Sequence, residues 1–204
     1  NLRRRMRKLQ LHGPVKLSAT READERLTHF YALERAGWKG AESSAILCNT
    51  AIRAFYDDVA IHCERLGTLC IYTLECADRP VAMFYGLQHR SRYFLLKTAY
   101  DETFSDCSPG QLITQEVLRE LAAEQCVEFD FLGVLTDWKK DWMPQLRPHA
   151  NWYVFRGPWG RAVHRMRFQM RPAIGRTLRA LRRSAAGQLH SGRIDGARTA
   201  DHTR

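Results

Sequence analysis

Nowhere in the chain of 204 residues do eighteen apolar side chains follow one another, so no stretch of it has the length and hydropathy of a membrane-crossing helix. No charged-then-apolar leader opens the chain, and the expectation is a soluble, cytoplasmic protein. Cysteine is present but unpatterned. The six residues Cys48, Cys63, Cys70, Cys76, Cys107 and Cys126 form no C-x-x-C pair and no ligand spacing with histidine. Neither a zinc site nor a dithiol redox motif is expected, and no metal is assigned. The thiols read as reduced and mostly buried. None of the eight histidines falls beside a serine or cysteine nucleophile at a recognisable spacing, which leaves covalent catalysis of the triad type without support. No internal repeat is visible.

Acid is missing from both ends. Residues 1–8, NLRRRMRK, hold five Lys/Arg and no acid, and residues 156–204 hold twelve Arg against Asp195 and Asp201. Residues 9–155 carry fifteen Lys/Arg against twenty Asp/Glu, so a net charge of +10 conceals an acidic body between basic ends. Such ends suit contact with phosphate or anionic lipid, and equally a solubilising tail. The chain starts at Asn1 with no turn signal ahead of the basic stretch. Residues 1–14 are therefore expected to be a basic linker helix at the end of a preceding half of a longer protein.

At 45% apolar the chain can bury one sizeable core. Leu2, Met6 and Leu9 fall at helical spacing, which gives a short helix over 1–10 that stops near Gly13-Pro14. A helix over 22–36 sets Ala23, Leu27, Phe30 and Leu33 on one side. Another over about 44–66 sets Ile52, Phe55, Val59 and Cys63 on a shared face, with Gly67 as its stop. The period then shortens. TLCIYTLECA (68–77), PVAMFYGLQH (80–89) and RYFLLKTAY (92–100) are rich in aromatic and β-branched residues and are separated by short punctuators. Connections this short make them antiparallel neighbours. A helix opening at Ser108-Pro109 and the run VEFDFLG (127–133) complete a crossover that sets the last strand parallel to 92–100. NWYVFR (151–156) is a further strand candidate, an Arg-rich helix covers 157–183, and 184–204 has too few apolar anchors to order. The expected class is α/β: a mixed, mostly antiparallel sheet flanked by helices, with a basic C-terminal helix and a disordered tail.

One stretch asks for a ligand. In TFSDCSPGQLITQEVLREL (103–121) a Ser-Pro-Gly turn precedes a helix that carries no charge until Glu116. Ser108 can cap, Pro109 suits the first helical position, and Gly110 allows close approach. An end of this kind either presents its amides and positive pole to a phosphate or is an ordinary capped helix. Its place after a strand in the parallel part of a sheet favours a ligand.

Three pieces, LERAGWKG (33–40), KTAYDETFSDCSPGQL (97–112) and DFLGVLTDWKKDW (130–142), resemble in order and spacing the CelD/BcsL-type acetyltransferase domain of the Gcn5-related N-acetyltransferase (GNAT) superfamily, which is related to the FemAB aminoacyl transferases. The resemblance spans about 15–156, which is taken as the domain. It implies transfer of an acyl group from acyl-coenzyme A, acetyl-CoA among them, to an amine or hydroxyl. It also points to sugar or amino-sugar acceptors of polysaccharide and cell-envelope metabolism. By the same resemblance the pyrophosphate sits on Ser108, Pro109, Gly110, Gln111 and Leu112, and the pantetheine arm runs along 92–100. The usual Gln/Arg-x-x-Gly-x-Gly/Ala loop is missing and Pro109 removes a donor. That implies a looser hold on pyrophosphate, or a different donor such as aminoacyl-tRNA.

Attack on a thioester needs a base for the nucleophile's proton and an acid for the leaving thiolate. Asp101 is the first base candidate, with turn capping beside Thr103 as its other reading. Tyr100 is the candidate acid, or else an aromatic packed at a strand end. Lys97 interrupts an apolar run, so it either enters a polar cleft to hold an anionic substrate or faces solvent. Asp130 raises the same choice, with a structural pairing to Lys97 or Lys139 as the alternative. The resemblance sets Lys139 on the acceptor or phosphate side of the cleft, where the alternative is a solvated lysine. Trp138 would share a helical face with Trp142. Glu34, Trp38 and Lys39 would wall the acceptor pocket, unless Trp38 covers the core.

Two other functions compete. A FemAB-like transferase would hold tRNA on the Arg-rich helix. A non-enzymatic module would use the same helix on nucleic acid or an anionic membrane, since residues 156–183 hold nine Arg and no acid near Trp152, Tyr153, Phe155, Trp159 and Phe168. The acidic body argues against nucleic acid as the main partner.

Overall fold

The computed structural model describes residues 1–37, 40, 42–150 and 152–166. Trp38, Lys39, the expected tail and the Arg-rich helix beyond residue 166 lie outside the described residues. The chain divides into two units, Asn1–Pro144 and one beginning at Gln145.

In the first unit, strands β1 (Val15–Thr20), β2 (Leu69–Cys76), β3 (Arg79–His89) and β4 (Arg92–Tyr100) lie antiparallel in chain order. Strand β5 (Glu128–Asp130) joins β4 in parallel. The sheet is the mixed, mostly antiparallel one that the sequence implies, with one strand more. VKLSAT alternates apolar and polar residues, but six residues of modest hydropathy are a faint signal until β2 is there to pair with them.

Strand β2 shows why there are two cores. Its Cys70, Tyr72, Leu74 and Cys76 enter one cluster and its Leu69 and Ile71 the other, following the pleat. Helices α1 (Leu2–Gln10) and α4 (Pro109–Ala123) cover the first face, α2 (Glu25–Ala36) and α3 (Thr50–Arg65) the second. With both faces covered, β2 is apolar but for Thr73 and Glu75. Burying side chains such as Leu74, Phe84 and Leu112 stabilises the fold by roughly 1.5–3 kcal/mol each.

Three expectations change. Helix α1 packs on the core: Leu9 is fully buried, and Leu2 and Met6 lie on the same cluster. The first unit ends at Pro144, so residues 145–156 fall in the second. On α3, capped by Asn49 accepting from the Ala51 and Ile52 amides, the inward residues are Tyr56, Val59, Ala60 and Cys63, while Ile52 and Phe55 are 42% and 59% exposed. Ile46, from a 3-10 turn ahead of the helix, enters the cluster in their stead.

In the second unit, 152–155 has no ladder partner, so NWYVFR is not a strand among the described residues. Tyr153 and Phe155 lie instead against His164 of helix α6 (Pro158–His164), at 4.3 and 5.3 Å between ring centroids. All six cysteines are free thiols: Cys70, Cys76 and Cys107 are buried, Cys63 and Cys126 half-buried, and Cys48 exposed. No helix among the described residues is long and apolar enough to cross a membrane.

Candidate functional site

Strand β5 pairs with β4 at only three positions, Arg92–Glu128, Tyr93–Phe129 and Phe94–Asp130. From Leu95 on, β4 has no ladder on that side. A cavity of about 320 Å³ lies along its far end, walled by the last turn of α2, the end of β4, the start of α4 and Trp138.

The start of α4 is built differently from the expected cap. Ser108 occupies the left-handed region (φ 53°, ψ 60°), so its hydroxyl makes no capping bond. Its carbonyl instead accepts from the Gln111 and Leu112 amides at 3.0 and 3.2 Å. Pro109 has no N–H to give. The Gly110 amide is left without a partner among the described residues, at the positive pole of a fifteen-residue helix. Space is open above it, since a Cβ there would meet only Tyr100 Cδ1, at 3.7 Å.

Of the five residues expected to hold phosphate, Ser108, Pro109, Gly110 and Gln111 line the cavity. Leu112 does not: it is fully buried in the core and its amide is already bonded. The Gln111 side chain is engaged with helix α5 (Asp137–Lys140) and the turn after it. Nε2 donates to Asp141 Oδ2 at 3.1 Å and to the Trp138 carbonyl at 3.4 Å, and Oε1 accepts from Trp142 Nε1 at 2.7 Å. Trp138, edge-on to Phe131 at 5.5 Å, is thereby held on the cavity wall.

Both oxygens of the Asp101 carboxylate, the first base candidate, are engaged. Its Oδ1 accepts from the Thr103 amide and hydroxyl at 2.9 and 2.6 Å, and its Oδ2 accepts from Arg79 Nη2. Burial works against its charge, but the Thr103 hydrogen bonds and the Arg79 guanidinium outweigh it and hold the carboxyl below the usual carboxylate range. A carboxylate so held takes up a proton poorly. It borders a neighbouring groove of about 480 Å³, together with His29, Arg79 and Glu102, and does not line the cavity.

Asp101→Asn is therefore expected to lower stability by about 1–2 kcal/mol, with solvent screening at the exposed Arg79 discounting the pair, while donor-induced stabilisation is retained. The folded-state pKa is depressed, so the contribution is present above the unfolded value and is lost as pH falls through the folded one. Urea melts of parent and variant should differ at neutral pH, and the difference should begin to shrink only as pH falls below about 4. A constant difference across that range would contradict the assignment.

Tyr100 stands where cavity and groove meet and lines both. Glu34 lines the cavity and is 2% exposed, its Oε2 accepting from the Ile46 amide at 2.9 Å. Lys97 leaves the cleft: its Nζ lies 5.2 Å from the Tyr56 ring centroid, on the α3 side of the sheet. Lys139 does not line the cavity either. Its Nζ donates to the Leu132 and Val134 carbonyls at 2.6 and 3.0 Å, and burial lowers its pKa against the opposing charge of Asp130. Asp130 Oδ1 accepts from the Leu132 amide at 2.8 Å, so both residues hold the loop after β5. Trp38 and Lys39 lie outside the described residues.

Phe84, Thr98 and Ser105 also line the cavity and carry no sequence signal, because a strand aromatic and two small hydroxyl residues occur anywhere. No cluster of His, Cys, Asp and Glu among the described residues could hold a metal ion.

Residues 1–140 match a family model described as an acetyltransferase (GNAT) domain. The chain belongs to this family. No curated protein matches it. The chemistry that goes with a GNAT domain is acyl transfer, and the match takes in α1, all five strands, α4 and Trp138. Residues from Gln145 onward lie beyond the GNAT match.

Proposed function

We propose that the GNAT domain moves an acyl group from acyl-coenzyme A to an amine or hydroxyl by direct attack on the thioester, at the cavity beside the end of β4. The observation that carries this is the unpartnered Gly110 amide at a helix start that opens onto a cavity with largely apolar walls. The residues fit the acyl end of such a donor more fully than its diphosphate. Leu33, Phe84, Ala99 and Trp138 offer an apolar wall, whereas the helix start offers one free amide and no Lys or Arg lines the cavity. When bound, acyl-CoA supplies an activated carbonyl and a thiol leaving group.

The chain's own groups then have separate tasks. Gly110 N–H and the Ser108 hydroxyl would hold phosphate oxygens. Glu34, taking the place first given to Asp101, would orient the acceptor and receive its proton. Tyr100 would donate to the departing sulfur. The acceptor would arrive through the groove that shares Leu33 and Tyr100 with the cavity. Sugars and amino sugars of the cell envelope are the favoured acceptors: the wall mixes Glu34, Thr98, Ser105 and Ser108 with its apolar residues, and the family resemblance points the same way. We place the reaction in the cytoplasm.

Thermal melting with acetyl-CoA, longer acyl-CoAs, free CoA and aminoacyl-tRNA tests the donor. A ligand at about a hundred times its Kd adds roughly 2.7 kcal/mol, or about 5–10 °C in a domain of this size. A shift with aminoacyl-tRNA and none with any acyl-CoA would replace this reading by the FemAB-like one. In a thiol-release assay with amino-sugar acceptors, Tyr100→Phe should keep the acetyl-CoA shift and lose about 10²-fold in turnover. Full turnover in that variant would take Tyr100 out of the acid role.

A further inference from the structure

The described part of the second unit exposes a surface for which the transferase reading has no use. Trp152, Val154 and Trp159 are 90%, 93% and 83% exposed, and Val163 and Met166 are 58% and 63% exposed. Before the helix, Tyr153 and Phe155 turn toward His164, while Trp152 and Val154, which alternate with them, are almost fully exposed. Along the following helical turns, Trp159, Val163 and Met166 recur at helical spacing, and Arg161 and Arg165, also exposed, fall on the opposite side. No acid occurs between Asp141 and Asp195. The piece therefore packs Tyr153, Phe155 and His164 together and leaves two indoles, three aliphatic or thioether side chains and its arginines outside.

We infer that this surface docks on an anionic lipid bilayer, with Trp152, Val154, Trp159, Val163 and Met166 at the boundary of headgroups and acyl chains and Arg156, Arg161 and Arg165 at lipid phosphates. Charge selects the partner: a surface with cations and no carboxylate is complementary to an anionic leaflet. The aliphatic residues select lipid over nucleic acid. Single-stranded RNA would engage the indoles by stacking and the arginines by charge, but it has no place for Val154, Val163 and Met166. An interface of headgroups and chains accommodates all three kinds of side chain. Helix α6, seven residues long among the described residues, would lie on such an interface. The inference is independent of the acyl donor.

Cosedimentation of the full chain with phosphatidylcholine vesicles, with and without phosphatidylglycerol, tests it, with tryptophan emission recorded alongside. Sedimentation is expected only with the anionic vesicles, together with a blue shift. Arg161→Gln with Arg165→Gln should weaken binding by roughly 10–30-fold at low salt. Trp152→Ser with Trp159→Ser should remove most of the blue shift and leave only salt-labile binding. Because all four side chains are exposed, both double variants should melt at the parent's temperature, and acetyl-CoA should stabilise them as it does the parent. Failure to sediment with anionic vesicles at low salt would overturn the inference. So would unchanged vesicle binding in both double variants, or salt-steep binding to an RNA oligonucleotide with none to vesicles.

Discussion

Gly110→Asp abolishes stabilisation by acetyl-CoA while the unliganded protein melts at the parent's temperature or slightly above it. The two halves of this expectation rest on different facts. The residue is helical, and a Cβ at 110 would touch only Tyr100 Cδ1 at 3.7 Å, so a side chain enters without displacing the fold. A carboxylate in the first turn of α4, which has no acid of its own there, should stabilise the helix by about 0.3–1 kcal/mol through its dipole. That same charge stands beside the one free amide, where it meets a diphosphate as a like charge and occupies the room the ligand needs. Gly110→Ala separates the causes: it keeps the amide, adds no charge, and should retain most of the acetyl-CoA shift. Melting curves with and without acetyl-CoA suffice. An undiminished shift in the Asp variant would place the phosphates elsewhere.

Gly86→Ala has the largest expected effect on stability. Its Cβ would lie 2.3 Å from Tyr93 Oη, 2.4 Å from Tyr93 Cζ and 2.8 Å from the Phe94 carbonyl. Tyr93 has nowhere to retreat, being fully buried, stacked on Phe129 at 5.3 Å and tilted against Tyr72 at 5.5 Å. Overpacking a fixed ring and a strand backbone should cost about 3 kcal/mol, read as a fall in the urea midpoint at unchanged slope. Tyr93→Phe in the same chain should recover only part of this, because the ring carbon at 2.4 Å remains. A midpoint within experimental scatter of the parent's would mean that the β3–β4 contact is looser than described.

Gly86 also matters to the site, because the register of β3 on β4 shifts between Tyr85 and Gly86 and passes over Leu96. Ahead of the bulge, Tyr93 and Leu95 face the α1–α4 cluster. Past it, Leu96 and Ala99 pack on the α2–α3 side and Tyr100 on the other. Under strict alternation Lys97 would share a face with Tyr93 and Leu95. The bulge turns it instead toward Tyr56, and Tyr100 toward the start of α4. This is why FLLKTAY leaves Lys97 between cleft and solvent: the bulge decides the face, and it sets Lys97 half-buried beside Tyr56 on the side away from the cleft.

The other reassignments have the same origin. Asp101 carries its turn-capping role in its own neighbourhood, since Thr103 is two residues away, but its ion pair reaches Arg79, 22 residues back across a strand pair. Lys139 falls in a segment that resembles the family's, yet which way its ammonium turns depends on the carbonyls of the loop after β5. Helix α1, read from its arginines as an appendage, is held by Leu2, Met6 and Leu9, whose partners in β2 and α4 are remote in the chain.

The sequence by itself determined helices α1 to α4, four of the five strands, the helix start at Ser108-Pro109-Gly110 and the family, because period, turn residues and short motifs are properties of neighbours along the chain. Only the tertiary structure decided which faces of α3 and β4 turn inward, that Glu34 and not Asp101 lines the cavity, and that Trp152 and Trp159 stand exposed. Those outcomes depend on pairings between distant segments, where a one-residue bulge or an ion pair across strands redirects side chains whose local preferences are unchanged.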